Sequence, residues 1–132
     1  NMQSQSTSNA CSISQAAAEA ALNGDQECVR VMCRAFQERH EYVHKTLKAM
    51  PGVAVLPADG TFYAFPDFSR VIERLKLKDD IELCERLLTD AGVAVVAGLS
   101  FGAPGHVRLS FATSMDNLRG ALARIGRFLE QH

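Results

Sequence analysis

The sequence predicts an α+β fold, a small and mainly antiparallel sheet covered by helices and preceded by a long N-terminal helix. Three observations carry that prediction. An apolar stripe at helical spacing runs from Val29 to Leu47 and stops at Pro51-Gly52. Short strand-like runs then recur at 53–56, 61–65, 93–96 and 107–111, separated by turn residues and helical patterns. The chain closes on a second amphipathic stripe, Met115, Leu118, Leu122, Ile125, Phe128 and Leu129.

Taken in order, residues 1–9 are small and polar without periodicity, the composition of a disordered tail. Position 1 is not Met, and truncation is the simple inference. Ser12 with Gln15 reads as a capping box for an Ala-rich helix that Gly24 stops. Asp25 caps the long helix, whose stripe is Val29, Met32, Cys33, Phe36, Val43 and Leu47. A helix of about two dozen residues is roughly 37 Å long at 1.5 Å per residue. That length suits a bridge between domains or to a neighbouring subunit, and equally an ordinary helix lying on the sheet.

Val53–Leu56 and the aromatic-rich Thr61–Phe65 flank the turn Pro57-Ala58-Asp59-Gly60, which predicts a hairpin closed by Pro66. Ser69–Leu75 follows as a short helix and Lys76–Lys78 as a charged connector. Asp79 or Asp80 caps a helix with Ile81, Cys84, Leu87, Leu88 and Ala91 on its apolar face. Gly92 ends it, and Val93–Val96 reads as a buried strand. A glycine-rich loop, Ala97–Gly105, leads into a strand that alternates with period two. Val107, Leu109 and Phe111 point to one face, and Arg108 and Ser110 to the other. Thr113 with Asp116 is a second capping box, opening the last helix. The expected division is a polar segment over 1–11, helices over 12–50 and an α+β domain over 51–132.

Composition excludes several classes of function. A net charge of −1 gives no electrostatic reason for a nucleic-acid partner. No apolar run approaches the roughly 20 residues that span a bilayer, and no signal peptide opens the chain, so a membrane partner is not expected. Cys11, Cys28, Cys33 and Cys84 form no CxxC pair and have no His at metal-ligand spacing. Buried thiols in a reducing cytoplasm are the expectation. His40 and His44 lie four apart on a helix, a spacing open to a metal, but no third ligand is near in sequence and solvent-facing positions explain them. No metal site is expected.

The candidate binding residue is Arg108. An Arg on the polar face of a strand is aimed away from the core from a rigid platform, and its planar fork matches a carboxylate through two parallel hydrogen bonds. The same pattern also describes an Arg on the solvent face of a sheet.

Four stretches narrow the choice. They are Gln3-Ser4-Gln5-Ser6-Thr7-Ser8-Asn9, Pro57-x-x-Gly60-x-Phe62-Tyr63, Ala91-Gly92-Val93-Ala94-Val95-Val96-x-Gly98-x-x-Phe101-Gly102, and Arg108-Leu109-Ser110-Phe111-Ala112. In that order and at those separations the chain resembles the C-terminal part of a class I pyridoxal-phosphate aminotransferase, nearest the bacterial aspartate aminotransferase group. Ala10 and Ala97 stand where that family commonly has Pro.

The resemblance implies the small domain of a fold-type I enzyme, with 12–50 as linker helices and 1–11 continuing from a large domain that this sequence does not include. It implies that Arg108 holds the α-carboxylate of the substrate, and that Phe62 and Tyr63 lie near the cleft, where core packing is the competing explanation. It implies amino-acid and 2-oxo-acid substrates, aspartate among them, a homodimeric full-length protein and pyridoxal phosphate as its cofactor. That cofactor requires a Schiff-base Lys. Lys45, Lys48, Lys76 and Lys78 read as solvated surface charges outside any Ser-x-x-Lys segment. The chain alone is therefore expected to bind no cofactor, to contain no catalytic residue and to be inactive. A β-lyase or decarboxylase of the same fold type fits the Arg108 pattern as well, and a non-enzymatic binding or dimerisation module is the third possibility.

Overall fold

The computed structural model describes Ser6 and residues 9–131. Of the polar opening segment, residues 1–5, 7 and 8 lie outside the described residues. No helix among the described residues is long and apolar enough to cross a membrane. The chain divides into two units, one ending at Cys33 and one beginning at Arg34.

The first unit holds α1 (Ser12–Asn23) and the start of α2 (Glu27–Lys48). The expected capping box of α1 does not form. Ser12 is already helical, Cys11 takes the cap position without a side-chain bond, and the Gln15 amide donates to the carbonyl of Ala10 at 2.8 Å. Asp25 does cap its helix, accepting the Glu27 N–H at 3.0 Å. No residue of α1 is buried, and Val29, Met32, Cys28 and Cys33 are exposed. The buried thiols expected there are thus absent. Helical spacing marks a face, and it does not say what covers that face.

In the second unit α2 continues to Lys48 and buries Val43 and Leu47 in the core. Then come β1 (Tyr63–Ala64), α3 (Ser69–Arg74), α4 (Asp80–Thr89), β2 (Val96–Ala97), a 3-10 turn (Gly98–Phe101), β3 (Val107–Ser110) and α5 (Met115–Gln131). The sheet has three strands in the order β1-β3-β2, both pairings antiparallel. Tyr63 lies opposite Ser110, and Val96 opposite Arg108. The core under it joins Phe68, Val71, Leu83, Leu87, Val107, Leu109 and Phe111 to Leu118, Leu122, Ile125 and Phe128 of α5.

The hairpin expected between 53–56 and 61–65 is not formed. Ala54 bridges Asp67 through a reciprocal pair of backbone bonds at 3.0 and 2.8 Å, and β1 pairs with β3 instead. A strand gains its full ladder from the partner whose buried face matches its own, and β3 supplies Leu109 beside Ala64. The strand expected at 93–96 shifts to Val96–Ala97 because Gly92 is left-handed, with φ +62°, and the Val93 N–H still closes α4 on Leu87. On α4 the buried residues are Asp80, Leu83 and Leu87, while Ile81 and Leu88 are exposed. α5 is capped by Ser114 and not by Thr113. The Ser114 hydroxyl accepts the Asn117 N–H at 3.2 Å, and the Asn117 side chain donates to Thr113.

Candidate functional site

β3 carries the alternation that the sequence shows. Val107, Leu109 and Phe111 are buried, Arg108 is half-buried and Ser110 exposed. Residues opposite each other in an antiparallel pair share a face, so Arg108, Ser110, Tyr63 and Val96 stand together on the side away from the core. The backbone is held at both ends. Pro66 accepts the Val107 N–H at 3.0 Å, and Phe62 accepts the Phe111 N–H at 2.8 Å.

Two rings fix the guanidinium. Its central carbon lies 4.8 Å from the ring centre of Phe101 and 5.6 Å from that of Tyr63. Both contacts fall within cation–π range. Among the described residues no carboxylate lies within ion-pair distance of Arg108. An ion pair with one of the described residues would have used up the fork, and none of them does so.

The aromatic cluster extends further. Phe65 meets Phe101 edge-on at 6.0 Å and stacks on His106 at 5.2 Å, and Phe62 meets Tyr63 edge-on at 5.6 Å. Phe62 is 52% exposed and Tyr63 half-buried, so neither is a core residue. Beside Tyr63 a groove of about 580 Å³ runs between the 54–58 segment and the sheet, lined by Val55, Leu56, Tyr63, Phe65, Asp67 and His106 among others. Asp67 is held below the usual carboxylate range. Partial burial acts to raise it, and bonds from Ser69 outweigh that, helped by the charges of His106 and Arg70.

Phe101 reaches Arg108 from the 3-10 turn, whose geometry requires glycine twice. A Cβ on Gly98 would collide with the carbonyl oxygens of Ala103 and His106, and Gly102 closes the turn with φ +73°. The Gly98 N–H donates to His106 at 2.8 Å, tying the turn to the start of β3. The Leu99 N–H donates to the carboxylate of Asp80 at 2.8 Å. Asp80 is 1% exposed. Asp79 does the capping of α4, accepting the Glu82 N–H at 3.0 Å. The sequence singles out neither Phe101 nor Asp80 as a site residue. The Asp79-Asp80 doublet is the available signal, since one helix start needs only one cap.

The remaining sequence features lie elsewhere in the fold. His40 does not face solvent. It is half-buried against Phe111 at 5.9 Å, and its Nε2 accepts the Ala58 N–H at 3.0 Å, which fastens the 54–58 segment to α2. His44 stacks on it at 6.0 Å. Among the described residues no cluster of three His, Cys, Asp or Glu side chains could hold a metal. Cys84 is half-buried; burial, with the Asp80 charge one turn away, pushes its thiol up to about 11. Lys45, Lys48, Lys76 and Lys78 are all exposed.

A family model described as aminotransferase class I and II matches residues 1–125. The aspartate/prephenate aminotransferase of Nitrosomonas europaea is 49% identical over 98% of this chain and 34% of its own length. The aspartate aminotransferase of Bacillus subtilis is 42% identical over the whole chain and 34% of its own length. The chain thus spans about a third of the length of these curated relatives. Among solved structures, the aspartate aminotransferase of Rhizobium meliloti superposes with a TM-score of 0.84 at 37% identity, over 98% of this chain and 34% of that one. That of Thermotoga maritima gives 0.80 at 41% identity, over 98% and 31%.

Proposed function

Because this chain belongs to the class I and II aminotransferases, we propose that it is the C-terminal part of an enzyme that moves an amino group between an amino acid, aspartate among them, and a 2-oxo acid. The observation that carries this reading is Arg108: a cation on the outer face of a paired strand, held between two rings, with no carboxylate of its own among the described residues. In this reading Arg108 binds the α-carboxylate of the substrate through its N–H fork. Each charge-assisted bond contributes about 1.5–3 kcal/mol. The strand fixes where the acid end sits, and so fixes where the α-carbon sits for proton transfer. Tyr63 and Phe101 limit the rotation of the guanidinium and shield its flanks from water.

Pyridoxal phosphate, implied by the family, supplies an electron-accepting ring when bound. The residues of this chain do not fit it. Its lysines are exposed, two along α2 and two in the 76–78 connector. The cofactor is therefore assigned to residues outside the chain. On the same reading α1 and α2 link residues 51–132 to a larger domain, and the complete protein is a cytoplasmic homodimer.

The test is Arg108→Ala in the complete protein. The value of kcat/KM for amino acids is expected to fall at least about 100-fold, while that for simple amines changes little. Unchanged amino-acid kinetics would reject the assignment. Pyruvate and ammonia formed without use of a 2-oxo acid would identify a lyase and reject the transferase.

A further inference from the structure

Asp80 is a buried carboxylate that does not cap its own helix. It sits at the first position of α4, is 1% exposed, and spends an oxygen on one backbone N–H nineteen residues away. Burying a carboxylate is costly unless its bonds are good, and an apolar residue of similar size would pack the position with less penalty. The bond it makes is well chosen for position. The first N–H groups of a helical turn have no partner within the turn, and Leu99 is the second residue of the 3-10 turn Gly98–Phe101. The turn has further backbone ties, Gly98 N–H to His106, Gly102 N–H to Leu99 and Ala103 N–H to Gly98, none of which reaches α4, and its last residue is Phe101. Phe101 is 50% exposed, so core packing does not hold its ring. What holds the ring is the turn, its edge contact with Phe65, and Arg108 itself.

We propose that Asp80 is a positioning residue for carboxylate recognition, acting through the Leu99 N–H and the 3-10 turn to keep Phe101 against the guanidinium of Arg108. This rests on the reading of Arg108 given above. Without the Asp80 oxygen the turn loses its anchor to α4, Phe101 drifts, and the fork samples directions that do not match a bound acid. The loss falls on substrates that carry the carboxylate and spares those that lack it. A staple serving only the fold would affect both alike.

The experiment compares kcat/KM for aspartate and for a simple alkyl amine in the complete holoenzyme, across Asp80→Ala, Asp80→Asn and Arg108→Ala. Asp80→Ala is expected to lower the value for aspartate about 10- to 100-fold, mainly through KM, with the amine within about 2-fold. Asp80→Asn, which keeps an oxygen acceptor, restores most of the aspartate value. Equal losses on both substrates, or no loss on either, overturn the proposal. Arg108→Ala separates the two readings. If it abolishes the preference for the acid while Asp80→Ala leaves that preference intact, this inference fails and the function stands. If Arg108→Ala leaves the preference intact, the function reading itself fails. Should Asp80→Ala not fold, Phe101→Leu decides, since an undiminished preference for aspartate in that variant also overturns the proposal.

Discussion

Two carboxylates next to each other, Asp79 and Asp80, end in opposite environments. Asp79 stays at the surface and closes the first turn of α4, while Asp80 goes inside and reaches a different element. The buried charge also acts on its neighbours. Cys84 lies one helical turn along, and burial together with that charge pushes its thiol up to about 11. The thiolate is the reactive form, so at pH 8 only about one Cys84 in a thousand is nucleophilic. Alkylation of Cys84 by iodoacetamide is expected to be far slower than a free thiol's, and to keep accelerating with pH up to about 11. Peptide mapping against time reads this directly. A Cys84 rate that levels off near pH 9 contradicts the burial described here.

At the scale of elements, the candidate site is made by register. Arg108 and Tyr63 face the same way because β1 and β3 pair with Tyr63 opposite Ser110. A slip of one residue would turn Arg108 into the core and Leu109 out to solvent. The 3-10 turn adds the second ring, and its tightest point is Gly98. Gly98→Ala puts a Cβ against the carbonyls of Ala103 and His106 and is expected to destabilise the protein by about 1–3 kcal/mol. On the proposed role of Arg108 it should also weaken binding of an acid substrate by the complete protein, because the turn must move to relieve the clash. Urea denaturation and aspartate KM together check it. A stable variant with a normal KM would show that the turn tolerates the displacement without passing it to Arg108.

For the whole molecule, the relevant fact is that the relatives it matches are about three times as long. Arg108 is half-buried between two rings, and a guanidinium that water still reaches grips a carboxylate weakly, because water competes for both partners. On the proposed function, amino transfer then requires a second surface that keeps this water out. The isolated chain, given pyridoxal phosphate, aspartate and a 2-oxo acid, is expected to produce no glutamate or other new amino acid. The complete protein under the same conditions is expected to do so. Amino transfer by the isolated chain would mean that one of its exposed lysines holds the cofactor after all.

The periodic signals in the sequence determined the elements: the stripe over 29–47, the alternation of 107–111 with Arg108 turned outward, and the closing stripe of 115–129 all have their elements in the fold. Burial on one side of the element imposes that spacing at Val43 and Leu47, along β3 and along α5, while Val29, Met32 and Cys33 keep the spacing and stay exposed. Tertiary structure alone decided which strand Thr61–Phe65 would pair with, that His40 would fasten the 54–58 segment, that Asp80 rather than Asp79 would be buried, and that Phe101 would lie on Arg108. Three of those are contacts between residues distant in the chain, and the fourth, Phe101 on Arg108, depends on how the 3-10 turn folds back over β3. Spacing along a sequence says which way a side chain points, and only the packed chain says what it meets there.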